Sequence, residues 1–128
     1  MKALVIDDSR AMRMILRNML SGMGFEVAEA RHGREALDYL QEHAETDVAL
    51  VDWNMPEMNG LELVEAIRRD TRLNALRLMM VTTETEMSHV AQALTAGANE
   101  YVMKPFSKEV IEDKLRLIGI VDGAAHAS

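Results

Sequence analysis

The strongest structural signal in the sequence is the stretch Ala3-Leu4-Val5-Ile6-Asp7-Asp8-Ser9, in which a short apolar run ends abruptly in two carboxylates and a hydroxyl. An apolar run of this length predicts a buried strand. Apolar residues at helical spacing follow it, namely Met12, Ile15, Leu16, Met19 and Met23. Ser9 can cap the start of this helix, and Gly22 and Gly24 can end it. The stretch therefore predicts a strand, a polar loop and an amphipathic helix.

The same unit recurs along the rest of the chain. Residues 25–29 alternate as a half-buried strand does, and three further apolar runs predict strands that end at Asp52, Thr82 and Lys104. Helices are predicted after Gly33, over residues 61–67, from about residue 87 to residue 95, and through Ile111, Leu115 and Ile118. Five strands alternating with five helices predict a doubly wound α/β domain with a parallel sheet. We expect this domain to span residues 1–119 and residues 120–128 to form a frayed tail.

Length and composition narrow the class of protein. A chain of 128 residues with no Cys is expected to form one domain without disulfides or a zinc-thiolate site. The net charge of −7 argues against binding to nucleic acid or to anionic membranes. No apolar run is long enough for a membrane span, and carboxylates come too early for a signal peptide. We therefore expect a cytoplasmic monomer that neither binds nucleic acid nor inserts into a membrane.

Polar side chains follow four of the predicted strands, and the carboxyl ends of parallel strands share one edge of a sheet. If the first and third strands are neighbours, Asp7, Asp8 and Asp52 converge, with Thr82 and Lys104 close by. Three carboxylates so close require a bound cation or raised pKa values, and an all-oxygen ligand set suits Mg2+. A carboxylate beside such a cation can attack a phosphoryl group, to whose oxygens a lysine and a hydroxyl can donate. Asp7 or Asp8 alone is explained equally well as a helix cap.

Four segments together resemble the receiver domains of two-component response regulators, in particular the single-domain chemotaxis regulators of that family. They are Asp7-Asp8, Asp52-Trp53-Asn54-Met55-Pro56, Val81-Thr82 and Lys104-Pro105-Phe106. The resemblance covers residues 2–118 and implies a flavodoxin-like fold with strand order 2-1-3-4-5. It also implies a phosphorelay function, in which a sensor histidine kinase or a histidine phosphotransfer protein is the donor. The expected output partner is a protein such as a flagellar motor switch component.

The resemblance assigns the central chemistry to a small group of residues. Asp52 accepts the phosphoryl group from a phosphohistidine, and Thr82 and Lys104 bind the phosphoryl oxygens. The Mg2+ ligands are Asp7, Asp8, Asp52 and the backbone carbonyl of Asn54. Such a domain catalyses its own Mg-dependent phosphorylation and dephosphorylation without being a conventional turnover enzyme.

The resemblance also assigns regulatory and docking roles. Tyr101 is the partner of Thr82 in a conformational switch, although a static strand tyrosine explains it equally well. Asn54 and Glu84 tune hydrolysis, and the Lys104-Pro105 bond is expected to be cis. Thr83 departs from the small residue that many members carry, which is expected to narrow access to the site. The basic stripe on the first helix, Arg10, Arg13 and Arg17, is either a docking face for the histidine-bearing partner or a solvated face.

Other function classes share parts of this pattern. A haloacid-dehalogenase-type phosphatase would have an Asp-x-Asp motif in place of Asp7-Asp8, and an FMN carrier would have a Gly-rich phosphate loop there. Open alternatives within the family are a relay intermediate, a phosphate sink and an interaction module that is never phosphorylated. The histidines, His32, His43, His89 and His126, share no metal-ligand spacing and are predicted to lie on the surface. Trp53 is predicted to pack beside Asp52 and to report on metal binding.

Overall fold

The fold is built on a five-stranded parallel sheet in the order β2-β1-β3-β4-β5. It is seen in a computed structural model that describes residues 1–120, apart from the side chain of Glu84. The strands are β1 Lys2–Ile6, β2 Glu26–Ala30, β3 Val48–Asp52, β4 Arg77–Thr82 and β5 Glu100–Met103. The helices are α1 Arg10–Gly22, α2 Gly33–Glu42, α3 Gly60–Arg68, α4 Val90–Ala96 and α5 Lys108–Leu117. The predicted doubly wound α/β class and its strand order are confirmed.

Two apolar clusters lie on opposite faces of the sheet, because successive side chains of a strand point to opposite sides. Leu4 and Ile6 of β1 contribute to one cluster, together with buried residues of α2, α3 and α4. Ala3 and Val5 contribute to the other, together with buried residues of α1 and α5. Helices therefore cover both faces, and the polar ends of the strands are left at one edge of the sheet.

Side chains at the helix starts explain where several helices begin. The Ser9 hydroxyl accepts the Met12 backbone N–H at 3.2 Å, as predicted from the sequence. At the start of α3, Asn59 and Glu62 each accept the other's backbone N–H, at 2.9 and 3.0 Å. Such reciprocal capping satisfies two backbone donors that a helix start would otherwise leave unpaired. It places the first turn of α3 directly after the loop that follows Asp52.

Two predicted boundaries differ from the structure. The helix expected from about residue 87 begins at Val90, and Glu84–His89 before it form a 3₁₀ helix. Ile120, assigned to the tail, is only 6% exposed, and its N–H donates to the Leu115 carbonyl at 2.8 Å. It extends the core one residue past the expected boundary, because it packs on the cluster beneath α5. The rest of the predicted tail, residues 121–128, lies outside the described residues.

No helix within residues 1–120 combines the length and the apolar character that crossing a bilayer demands.

Candidate functional site

Three carboxylates converge at the carboxyl edge of the sheet. Asp7 and Asp8 follow β1, and Asp52 is the last residue of β3, whose Val51 pairs with Ile6 of β1. Each of the three offers a carboxylate oxygen, and these oxygens lie within 4.8 Å of one another. Asp7 is 1% and Asp52 5% exposed, whereas Asp8 is open to solvent. The adjacency of β1 and β3 thus produces the acidic cluster that the strand ends predicted.

An ammonium group lies between two of these carboxylates. Lys104 Nζ is 3.2 Å from Asp52 Oδ1 and 3.5 Å from Asp7 Oδ2. Lys104 follows β5, and its backbone N–H donates to the Thr82 carbonyl at 2.6 Å. The Lys104–Pro105 peptide bond is cis. Lys104 therefore joins the end of β5 to the acidic cluster at the ends of β1 and β3.

Burial sets the electrostatics of the cluster. Loss of hydration, together with the charge of Asp7, raises the pKa of Asp52 to about 6, against the opposing effect of Lys104. Burial alone would lower the pKa of Lys104, but the charges of Asp52 and Asp7 and the hydrogen bonds to them outweigh it, so this pKa is raised. The site therefore brings three acidic side chains together with one ammonium group. Such a set of oxygen ligands fits a hard cation such as Mg2+.

Thr82 and Tyr101, the two predicted switch residues, lie on neighbouring strands. Tyr101 of β5 pairs with Met80 of β4, two residues before Thr82, so Thr82 and Tyr101 share one face of the sheet. The Thr82 side chain is fully buried, and its hydroxyl donates to Met87 Sδ at 3.8 Å. Lys114 Nζ lies 4.7 Å from the centroid of the half-buried Tyr101 ring. In this state the Thr82 hydroxyl is engaged by the 3₁₀ segment that precedes α4.

The two residues expected to tune hydrolysis, Asn54 and Glu84, lie in different segments of the chain. Asn54 lies in the loop between β3 and α3, and its side chain is exposed. Glu84 lies at the start of the 3₁₀ helix, but its side chain is outside the described part of the chain. The roles of both residues remain predictions.

Arg13 differs from its expected position in an exposed basic stripe. It is 9% exposed, and its guanidinium donates to the Asp7 carbonyl and to a Glu29 carboxylate oxygen. The sequence contains a signal for this orientation, because residues 13, 16 and 20 share one face of a helix. Leu16 and Leu20 are the other buried residues of α1.

The site predicted from the sequence does not include Glu86 and His89. Glu86 is buried, accepts the Thr83 backbone N–H at 2.9 Å, and contributes to the raised pKa of Asp52. The spacing of Thr83 and Glu86 is that of a capping box, which could have been recognised. His89 was predicted to lie on the surface, but it is partly buried and stacks on Trp53, and no signal in the sequence indicates this.

Comparison with known proteins identifies the family. The family model of the response regulator receiver domain matches residues 3–116. The chain belongs to this family. The receiver domain is 49% identical over 119 residues to the chemotaxis protein CheY1 of Helicobacter pylori, covering 92% of this chain and 96% of that protein. It is 46% identical over 129 residues to the chemotaxis protein CheY homolog of Campylobacter jejuni, covering 98% of this chain and 99% of that protein.

A solved structure shows the same fold. The chemotaxis protein CheY4 of Vibrio cholerae superimposes on the receiver domain with a TM-score of 0.84 and 36% identity, covering 91% of this chain and 97% of that one. The predicted resemblance is therefore confirmed, and the chain is a CheY-like receiver domain of two-component signalling. The phosphatase and FMN-carrier alternatives are inconsistent with this membership.

Proposed function

We propose that the protein is a chemotaxis response regulator that accepts a phosphoryl group on Asp52 from a phosphohistidine. The observation that carries this proposal is the buried Asp52 carboxylate, 3.2 Å from Lys104 Nζ and within reach of the Asp7 and Asp8 carboxylates. The names of the relatives from H. pylori and C. jejuni, which match nearly end to end, support the role in chemotaxis. The donor would be a sensor histidine kinase or a histidine phosphotransfer protein.

In the proposed reaction an Asp52 carboxylate oxygen attacks phosphorus. A P–O bond forms while the P–N bond to the donor imidazole breaks, and the imidazole nitrogen retains the electron pair. Lys104 donates to a phosphoryl oxygen, for which its position beside Asp52 is suited. Thr82 donates to another, which requires its hydroxyl to leave Met87 Sδ. These donors stabilise charge on the transferring group where water is largely excluded.

Asp7, Asp8, Asp52 and the backbone carbonyl of Asn54 are the proposed Mg2+ ligands. When bound, Mg2+ would neutralise charge on the carboxylates and on the phosphoryl oxygens. Before any metal binds, Lys104 partly compensates Asp7 and Asp52 and so keeps two buried carboxylates tolerable.

Signal output is proposed to follow from the release of Thr82. Once its hydroxyl binds the phosphoryl group, Tyr101 on the same sheet face is proposed to turn inward and change the surface around β5. Asn54 and Glu84 are proposed to set how readily water reaches the phosphoryl group. Arg10 and Arg17 on α1 remain exposed and are the candidates for docking the histidine-bearing partner.

The direct test is phosphorylation by a small donor. Mg2+ is titrated while Trp53 fluorescence is recorded, acetyl phosphate is added, and the intact mass is measured. We expect a metal-dependent change in fluorescence and one phosphoryl mass, which Asp52→Asn abolishes. Asp113→Asn is the matched control, because Asp113 on α5 is 73% exposed and lies in no acidic cluster of the described residues.

Two outcomes would redirect the proposal. Metal binding without any phosphoryl mass on the wild-type protein would favour an interaction module that is never phosphorylated. Phosphorylation without binding of the phosphorylated protein to a flagellar motor switch component would favour a relay intermediate or a phosphate sink.

A further inference from the structure

Arg13 is a buried cation that contacts the acidic site through the backbone of Asp7. One guanidinium nitrogen donates to the Asp7 backbone carbonyl at 2.7 Å, and Nε donates to Glu29 Oε1 at 3.1 Å. Glu29 lies in β2, paired with Val5 of β1, and also accepts from Arg17 at 3.3 Å. Arg13 thus connects the first turn of α1, the loop after β1 and the end of β2.

The polar groups of Asp7 are held from several sides. Its backbone N–H donates to the Ala30 carbonyl at 3.1 Å, and its carbonyl accepts from Arg13. One carboxylate oxygen accepts the Ser9 N–H at 2.8 Å, and the other faces Lys104 Nζ at 3.5 Å. The two peptide contacts fix the direction of the Asp7 Cα–Cβ bond, and the contacts to Ser9 and Lys104 hold the carboxylate at its end. Two adjacent residues of β2 share this task, Ala30 directly and Glu29 through Arg13.

We infer that Arg13 is a positioning residue for the proposed metal site and that Glu29 orients it. This inference rests on the proposed function, because it assigns a task to residues behind the Mg2+ ligands. Arg13 contacts the Asp7 peptide, and by holding it would keep the Asp7 carboxylate in place for a cation. Partners of metal ligands that orient them commonly change metal affinity by about 10- to 100-fold when they are removed.

Positioning and simple electrostatics predict opposite results when Arg13 is replaced. Arg13 carries a positive charge near a cation site, so removing only its charge would tighten Mg2+ binding. Removing a positioning contact instead weakens binding, because the Asp7 peptide gains freedom that metal binding must then take away. The sign of the change in Mg2+ affinity therefore distinguishes the two roles.

The choice of metal supplies a second readout. Mg2+ demands near-ideal octahedral geometry, whereas Ca2+ accepts irregular geometry and more ligands. A loosened Asp7 should therefore weaken Mg2+ binding more than Ca2+ binding. A general loss of stability would not change the ratio of the two affinities in the folded protein.

The experiment compares Arg13→Met with Arg17→Met in the full chain. Arg17 is on the same helix and contacts the same Glu29, but it is 57% exposed, and its hydrogen bond in the described structure goes to Glu29 alone. Dissociation constants for Mg2+ and Ca2+ are measured by Trp53 fluorescence and by calorimetry, and folding is checked by circular dichroism. We expect Arg13→Met to weaken Mg2+ binding about tenfold and to weaken Ca2+ binding less, while Arg17→Met changes either affinity less than about twofold.

A second variant keeps the test decisive if Arg13→Met does not fold. Arg13→Lys retains the charge and the aliphatic stem, but a single ammonium cannot reproduce the forked contact to Asp7 and Glu29. It should weaken Mg2+ binding by an intermediate factor. Unchanged or tighter Mg2+ binding in a folded Arg13 variant would overturn this inference and leave the proposed function standing. An equally large loss of Mg2+ affinity in Arg17→Met would do the same. A wild-type protein that binds no Mg2+ would overturn the metal step of the proposed function together with it.

Discussion

His89 lies flat against Trp53, with ring centroids 4.7 Å apart and ring planes inclined by 9°. Trp53 follows Asp52 directly and is 7% exposed, so the stack joins the 3₁₀ helix before α4 to the end of β3. His89 Nδ1 is buried without a hydrogen-bond partner among the residues that the structure describes. The contact thus combines a favourable aromatic stack with an unpaired buried nitrogen.

The two parts of this contact can be separated by substitution. His89→Phe keeps a ring on Trp53 and removes the unpaired nitrogen, so we expect the free energy of unfolding to rise by about 1 kcal/mol. His89→Ala removes the stack and should lower the free energy of unfolding by about 1 kcal/mol. Urea unfolding followed by far-UV circular dichroism measures both changes without depending on the indole. If His89→Phe were no more stable than His89→Ala, the stack would contribute nothing.

The raised pKa of Asp52 predicts how stability depends on pH in the metal-free protein. Because its folded-state pKa of about 6 exceeds the ordinary value of 3.8, the folded protein binds this proton more tightly than the unfolded chain. Proton binding to Asp52 therefore stabilises the folded protein. This contribution is complete below the ordinary pKa of 3.8 and is lost as the pH rises through about 6. We therefore expect Asp52→Asn, which cannot ionise, to be about 1–2 kcal/mol more stable than wild type at about pH 8.

That difference should shrink as the pH falls and disappear near about pH 3, below both pKa values, where Asp52 is protonated in both states. The measurement is thermal or urea unfolding in EDTA at several pH values, with the exposed Asp113→Asn as control. A stabilisation by Asp52→Asn that is independent of pH would show that the buried charge is not its cause.

Lys104 Nζ lies 3.2 Å from Asp52 and 3.5 Å from Asp7, so it would compete with the proposed cation for these carboxylates. Lys104→Met should therefore tighten Mg2+ binding about threefold to tenfold at about pH 8, since it removes a neighbouring positive charge. The same variant loses a donor to the phosphoryl group, so its phosphorylation by acetyl phosphate should be at least about 100-fold slower. Lys108→Met, at an exposed lysine, is the control for both measurements. Weaker Mg2+ binding in Lys104→Met would mean that Lys104 organises the carboxylates rather than competing for them.

Most of the fold and the central groups of the site are predictable from the sequence, for identifiable physical reasons. Buried parallel strands appear as apolar runs, and each run here ends at the residue that the sheet brings to its functional edge, as Asp52 and Thr82 show. The strand order is implied only by the family resemblance, because periodicity alone does not say which strands are neighbours. The proximity of Asp7 to Asp52 follows only once β1 and β3 are known to pair.

Contacts made by side chains between distant elements were not predictable in the same way. Arg13 is polar and was expected to face solvent, yet its core-facing spacing with Leu16 prevails because Asp7 and Glu29 satisfy its guanidinium. Helical spacing suggested that α4 begins near Met87, whereas Thr82 and Trp53 engage Met87 and His89 in a 3₁₀ segment. Glu29 is 16 residues from Arg13, and Trp53 and His89 belong to different elements, so local patterns do not reveal these contacts.

Gly60, the first residue of α3, lies very close to the strand end that carries Asp52. A Cβ placed there would lie 2.7 Å from the Asp52 carbonyl oxygen, 2.8 Å from Met80 Cε and 2.9 Å from Trp53 Cα. Met80 can move its methyl group, but the two backbone atoms belong to the end of β3 and to the peptide that follows it. Gly60 is also tied to that strand end, because its N–H donates to the Trp53 carbonyl at 2.8 Å.

Gly60→Ala must therefore push α3 away from β3 or displace Asp52. We expect it to lower the free energy of unfolding by about 2–3 kcal/mol and to weaken Mg2+ binding, since the strain falls on the residue that supplies a proposed ligand. Gly22→Ala is the matched control: the nearest atom to its added Cβ is Lys108 Nζ at 3.9 Å, and alanine in the last turn of α1 should be neutral or stabilising by up to about 1 kcal/mol. Urea unfolding and Mg2+ titration of both variants give the comparison. If Gly60→Ala destabilised the protein but left Mg2+ affinity unchanged, α3 would yield rather than Asp52, and the position of the carboxylate would be set by β3 alone.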